Sequence, residues 1–174
     1  LCFQFSMDVE HEEGAALVHH EFLDKGDCRE AFICALLKQI PQEGTILVFN
    51  MEGAEKLRLR QLARQFPQHA EALESLCARM VDLSLPFASG ALHHINMKGM
   101  YSLKVLTEIF AQRSYHDLDI SAGMEAVRAH RLLEEGTGDE AQIRKQLLAY
   151  CGMDTYAEYL LYHAMKKIVD EEEA

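Results

Sequence analysis

The apolar and polar positions alternate in the first part of the chain and recur at helical spacing in the last. Residues 1–9, LCFQFSMDV, show a loose period of two, which predicts a strand. Residues 15–23, AALVHHEFL, repeat the pattern after a turn at Glu12–Gly14, so the two form a predicted hairpin. Asp27 is placed to cap a helix over 28–40, with Ala31, Cys34, Ala35, Leu36 and Leu37 near one side and Pro41 and Gly44 ending it. Residues 45–49, TILVF, form a short apolar run between Gly44 and Asn50, the pattern of a strand buried on both faces.

Helices follow over about 53–65 and 68–80, separated by Pro67. Residues 81–87, VDLSLPF, read as extended, and 88–100 as loop. Ser102 caps a helix that runs to about Phe110. Residues 120–135 and 139–168 have helical period, with a break at Gly136–Gly138 and a bend or restart expected near Gly152. Asp170–Glu173 reads as a solvated tail. Strands first and helices later predict an α/β fold, a mixed sheet flanked by helices, in a single domain over 1–174.

Charge and cysteines narrow the function. A net charge of -11 argues against binding nucleic acid through a broad basic surface. It leaves room for an acidic pocket that meets phosphate through cations. The five cysteines are odd in number and lack CxxC spacing, so reduced thiols and a cytoplasmic setting are expected. No apolar run has the ~20 residues of a membrane span. GxSxG, GxGxxG, Walker and HExxH patterns are absent.

Three places could carry chemistry. In FNMEGAEKLRL, residues 49–59, Asn50 stands at a strand end where it can cap the next helix, with Glu52 and Glu55 in its first turn or two. Carboxylates there suit a helix N-terminus, and they also suit the strand-end position where α/β folds hold ligands. In LLAYCGMDTYAEYLL, residues 147–161, Tyr150 and Asp154 share a helical face that is otherwise apolar. An Asp on such a face must be paired, hydrated, metal-bound or at a helix restart. Asp82, between Val81 and Leu83, is either a turn residue or part of a segment that packs on the sheet. The histidines read as structural or solvent-exposed, since adjacent residues such as His19–His20 point to opposite strand faces.

In order, LCFQFSM, HHEFL, ILVFN with EKLRL, VDL, GMYSLKVL and YCGMDT resemble the DEDD superfamily of 3′–5′ exonucleases, in its tyrosine variant with a ribonuclease H-like fold. They look most like a bacterial family of unknown function near that superfamily. The resemblance implies that Asn50 and Glu55 stand for the second motif, with Glu52 as the alternative acid, because the spacing departs by one residue and Ala54 replaces the usual aromatic. It implies that Tyr150 and Asp154 are the Y-x-x-x-D third motif. Ser102 and Lys104 would then lie near substrate, with Asp82 beside the metal. The first motif, D-x-E, is expected upstream of Leu1. Asp8 and Glu10 spell D-x-E but read as turn residues.

What the resemblance implies chemically is phosphodiester hydrolysis in single-stranded DNA or RNA by two Mg²⁺ or Mn²⁺ ions, held by Glu55, Asp82 and Asp154. Tyr150 would orient the attacking water. With D-x-E outside the chain, weak metal binding and poor cleavage are expected. A catalytically degenerate protein-binding module on the same fold is the competing expectation.

Overall fold

A computed structural model of the chain describes residues 2–172, so Leu1 of the expected first strand and Glu173 of the expected tail lie outside the described residues. The α/β expectation holds. The described strands form two separate two-stranded sheets, one antiparallel and one parallel. By backbone proximity the chain divides into two compact units, each interrupted in sequence: Leu1–Pro41 with Tyr115–Thr155, and Gln42–Ser114 with Tyr156–Ala174.

The first unit opens with the expected hairpin, β1 (Gln4–Val9) and β2 (Val18–Leu23), in a register that sets Phe5 opposite Phe22 and Asp8 opposite His19. Asp8 is therefore inside a strand and not in the turn. Glu10 is the turn residue, its carboxylate accepting the Gly14 N–H at 2.8 Å. Alternation sends Phe5 and Phe22 to one face, where both rings meet Phe32 edge-on at 5.3 and 5.9 Å.

That contact decides which side of α1 (Arg29–Gln39) is buried: Phe32, Ile33 and Leu36, while Ala31 and Cys34 are exposed. Of the expected side, Leu36 is buried and Ala35 and Leu37 are half-buried, but Ala31 and Cys34 are not, because Phe32 brings far more apolar area to the hairpin than an alanine can. Asp27 does not cap the helix. Cys28 takes that position, and Asp27 pairs with Arg29 at 2.7 Å.

Two further helices complete this unit's elements, α6 (Gly123–Glu135) and the first part of α7 (Glu140–Glu172). Ile120, Ala126, Leu133, Ile143 and Leu147 form a core cluster, with Leu23 and Tyr150 packed against it. Helix α7 runs unbroken through Gly152, so the restart is not present, and it carries the exposed Asp170 and Glu171 of the expected solvated tail. A Cβ added at Gly152 would already touch His19 Cε1 at 3.6 Å. That is an ordinary contact distance, so glycine at this point neither ends the helix nor is demanded by the space beside it.

In the second unit, β3 (Ile46–Val48) pairs in parallel with β4 (Met80–Asp82). The crossover is α2 (Glu55–Gln65), a 3₁₀ turn at Pro67–His69, and α3 (Ala70–Ala78). Arg79 leaves the helix, so the expected helical stretch over 68–80 stops short to let β4 pair. The segment after β4, expected to be extended, becomes α4 (Leu85–Ala88) with Pro86 near its start. The loop over 88–100 contains a 3₁₀ turn, Ile95–Met97. Helix α5 (Leu103–Ala111) starts after Ser102 as expected. Phe87, Met97, Leu106 and Leu161 form this unit's core cluster.

The first unit's core can be tested at Leu147, which is fully buried. Leu147→Ala should lower unfolding free energy by about 2–5 kcal/mol in guanidinium titrations. Val127→Ala, on the exposed side of α6, should change it by no more than about 0.5 kcal/mol.

Candidate functional site

The chain leaves β3 at Phe49 and turns at Asn50, whose backbone is left-handed (φ 61°). Asparagine tolerates that conformation better than other residues with a β-carbon. The turn aims two successive N–H groups at Asp82, at the end of β4. Asn50 N–H donates to Oδ1 at 3.0 Å and Met51 N–H to Oδ2 at 2.8 Å. Ser84 N–H donates to Oδ1 at 2.9 Å. Burial alone would raise the pKa of Asp82. The bonds from Ser84, Met51 and Asn50 outweigh it and hold the carboxyl below its usual value.

Asn50 is not the helix cap. Its carbonyl accepts the N–H groups of Gly53 and Ala54, and α2 begins at Glu55. A Cβ on Gly53 would sit 2.8 Å from Asn50 Nδ2, so the side chain of Asn50 occupies the space that glycine leaves.

The two acids competing for the second motif are both exposed. Glu52 pairs with Lys56 at 2.7 Å, and that bond holds its pKa low. Glu55 is the first residue of α2, where its charge suits the helix dipole. Ser102 is exposed at the start of α5, its carbonyl accepting Leu106 N–H at 3.0 Å, and Lys104 lies half-buried in the first turn. Asn50, Glu52, Glu55, Asp82, Ser102 and Lys104 all belong to the second unit.

The Tyr150–Asp154 pair belongs to the first unit. The two half-buried residues are one helical turn apart on α7, near enough for the Asp154 carboxylate to act on the Tyr150 hydroxyl. Burial, then the charge of Asp154, push the phenol well above its ordinary pKa, so it keeps its proton. Gly123, the first residue of α6, leaves room for that hydroxyl: a Cβ there would sit 3.9 Å from it. A cleft of about 190 Å³ in the same unit is lined by Asp117, Asp119, Gln142, Lys145 and Gln146, but not by the pair.

Three backbone N–H groups take three of the roughly four lone-pair sites of Asp82, which leaves it about one for the metal-ligand role that the resemblance implies. Among the described residues no group of three or more His, Cys, Asp or Glu side chains is arranged to hold a metal ion. Burial raises the Cys28 and Cys77 thiols above their ordinary pKa, which disfavours the nucleophilic thiolate.

One contact escaped the sequence reading. His19 Nδ1 lies 2.7 Å from Asp8 Oδ1. The sequence did not carry this signal, because the long connection between β1 and β2 leaves open which residue stands opposite Asp8, and the observed pairing makes it His19.

Asp82→Asn should cost about 1–3 kcal/mol at pH 7, because an amide replaces one acceptor with a donor facing N–H groups. The lowered pKa of Asp82 sets the sign of the pH effect. Its stabilisation is present above the ordinary carboxyl pKa of about 3.9 and is lost as pH falls through the lower folded value. Urea titrations should therefore show the gap between wild type and variant steady above pH 5 and shrinking below about pH 4.

A family model described as Domain of unknown function (DUF2779) matches residues 1–102. The matched stretch includes the hairpin, the parallel pair and Asn50, Glu55, Asp82 and Ser102. No curated protein and no solved structure matches the chain. Since the match spans more than half of the chain, this protein belongs to the DUF2779 family of domains of unknown function.

Proposed function

We propose that this chain is a nuclease-like domain of DEDD-type descent whose chemical remnant is the Tyr150–Asp154 pair, and that by itself it hydrolyses phosphodiesters poorly or not at all. The observation that carries the reading is the pair itself: a half-buried phenol that keeps its proton, one helical turn from a half-buried carboxylate whose charge acts on it. Such a phenol is a hydrogen-bond donor and not a base. It orients whatever anionic oxygen it faces, and in this structure the carboxylate acting on it is Asp154's. The order of Asn50, Glu55, Ser102, Tyr150 and Asp154 along the chain supports the same descent. The substrate class is single-stranded nucleic acid.

The commitment of Asp82 to three backbone N–H groups supports the poor-catalysis half of the proposal. A carboxylate so used contributes to folding and has little capacity left for a cation. It also favours a second reading, a protein-binding module that keeps the fold without the chemistry. A net charge of -11 suits a protein partner better than bare nucleic acid.

The test is incubation of the chain with end-labelled single-stranded DNA and RNA in Mn²⁺ or Mg²⁺. No cleavage above background is expected, and Asp154→Ala should behave like wild type. Robust Mn²⁺-dependent degradation abolished by Asp154→Ala would overturn the proposal. Binding of the oligonucleotides without cleavage would support nuclease descent over the protein-binding reading.

A further inference from the structure

The hairpin face opposite the three phenylalanines is polar apart from Leu23, which pairs with Gln4. Gln4, Ser6 and Asp8 alternate onto it from β1, and His19 and Glu21 from β2. This face meets α7: Gln4 Nε2 donates to the Leu147 carbonyl at 3.5 Å, and the space beside Gly152 is bounded by His19 and Ser6. The layer is not fully bonded. Gln4 Oε1 and Ser6 Oγ are buried with no hydrogen-bond partner.

His19 is the cation-forming group on this face. Its Nδ1 lies 2.7 Å from Asp8 Oδ1, and its Nε2 lies 3.4 Å from Glu21 Oε2. A neutral imidazole carries one N–H and can donate to one of these carboxylates. Its other nitrogen would then present a lone pair to the second. Only the imidazolium donates to both. The Asp8 side chain is 9% exposed, so water replaces little of what it would lose. The backbone of Gly152 brings no charge from α7, and Asp8 and Glu21 are the charged groups acting on the ring.

We propose that His19, as an imidazolium between Asp8 and Glu21, is a pH-operated clasp that ties β1 to β2 on the hairpin face that meets α7. When the proton leaves to solvent, one bond is lost and the Asp8 charge is left poorly compensated. The clasp does not rest on the nuclease reading.

The sign follows from the bond to Asp8, which raises the His19 pKa against the opposing effect of burial, with Glu21 adding to the rise. The clasp's contribution is complete below the ordinary histidine value of about 6.5. It is lost as pH rises through the higher folded value.

The experiment is NMR on the whole chain, with the His19 ring assigned by its loss in His19→Gln. Ring shifts and hydrogen exchange of the β1 and β2 amides, corrected for intrinsic rates, are followed from pH 5.5 to pH 9. The His19 midpoint should lie above the ordinary value, and Asp8→Asn should lower it. Hairpin protection should drop about two- to fivefold through that midpoint, the size of an exposed charged pair. His19→Gln should remove the step. A His19 midpoint at or below about 6.5, protection that stays flat through the midpoint, or an equal step in His19→Gln would overturn the proposal.

Discussion

A carboxylate at the end of a short parallel strand pair either meets water or finds donors, and Asp82 finds three backbone N–H groups. Much of the second unit's local architecture follows from this. The parallel pair is three residues on each strand, too short to define its own ends. Asp82 ties the exit of β3, through Asn50 and Met51, to the exit of β4, through Ser84. The bonds hold Asn50 in its left-handed turn, and that turn sets where α2 begins. Gly53 answers to the same constraint, because the Asn50 side chain lies where its β-carbon would be.

Much of the fold could be read from residue patterns, and the failures have physical causes. The hairpin, the break between α2 and α3, the start of α5 and the Gly136–Gly138 break rest on local signals: period, Pro, Gly and capping residues. The buried side of α1 rests on a distant partner. Nothing within 28–40 says that Phe32 will meet Phe5 and Phe22. Gly152 also misled. Glycine inside a helical pattern suggests a break, but α7 continues through it, with an imidazole of another element alongside. The short extent of β4 again rests on a distant partner, since it is set by pairing with β3.

The candidate site divides along the same line. The spacing of Tyr150 and Asp154 was enough to place both on one face of a helix, and there the Asp154 charge acts on the phenol. Asp82 could be singled out as unusual, but its role could not be read. A buried Asp beside a metal and a buried Asp beside backbone N–H groups have the same neighbours in sequence. Only coordinates that bring Asn50 and Met51 across the crossover separate the two. Glu52 and Glu55 stayed ambiguous for a different reason: both are exposed near one helix start, where a carboxylate is stable whatever else it does.

Each compact unit is made from two stretches of chain, and this bears on synthesis. The hairpin and α1 leave the ribosome early, yet α6 and α7 of the same unit come only after the whole stretch from Gln42 to Ser114. Chains grow at about 5–20 residues per second, so the hairpin has seconds to wait. Its aromatic face need not wait uncovered, because α1 follows directly and brings Phe32. The face left in water is the one bearing Gln4, Ser6, Asp8, His19 and Glu21, with Leu23 its apolar member. The polar side chains hydrate well and give a neighbouring chain little apolar surface to stick to. The polarity that makes the hairpin sensitive to protons also keeps the unfinished unit from sticking while it waits for α7.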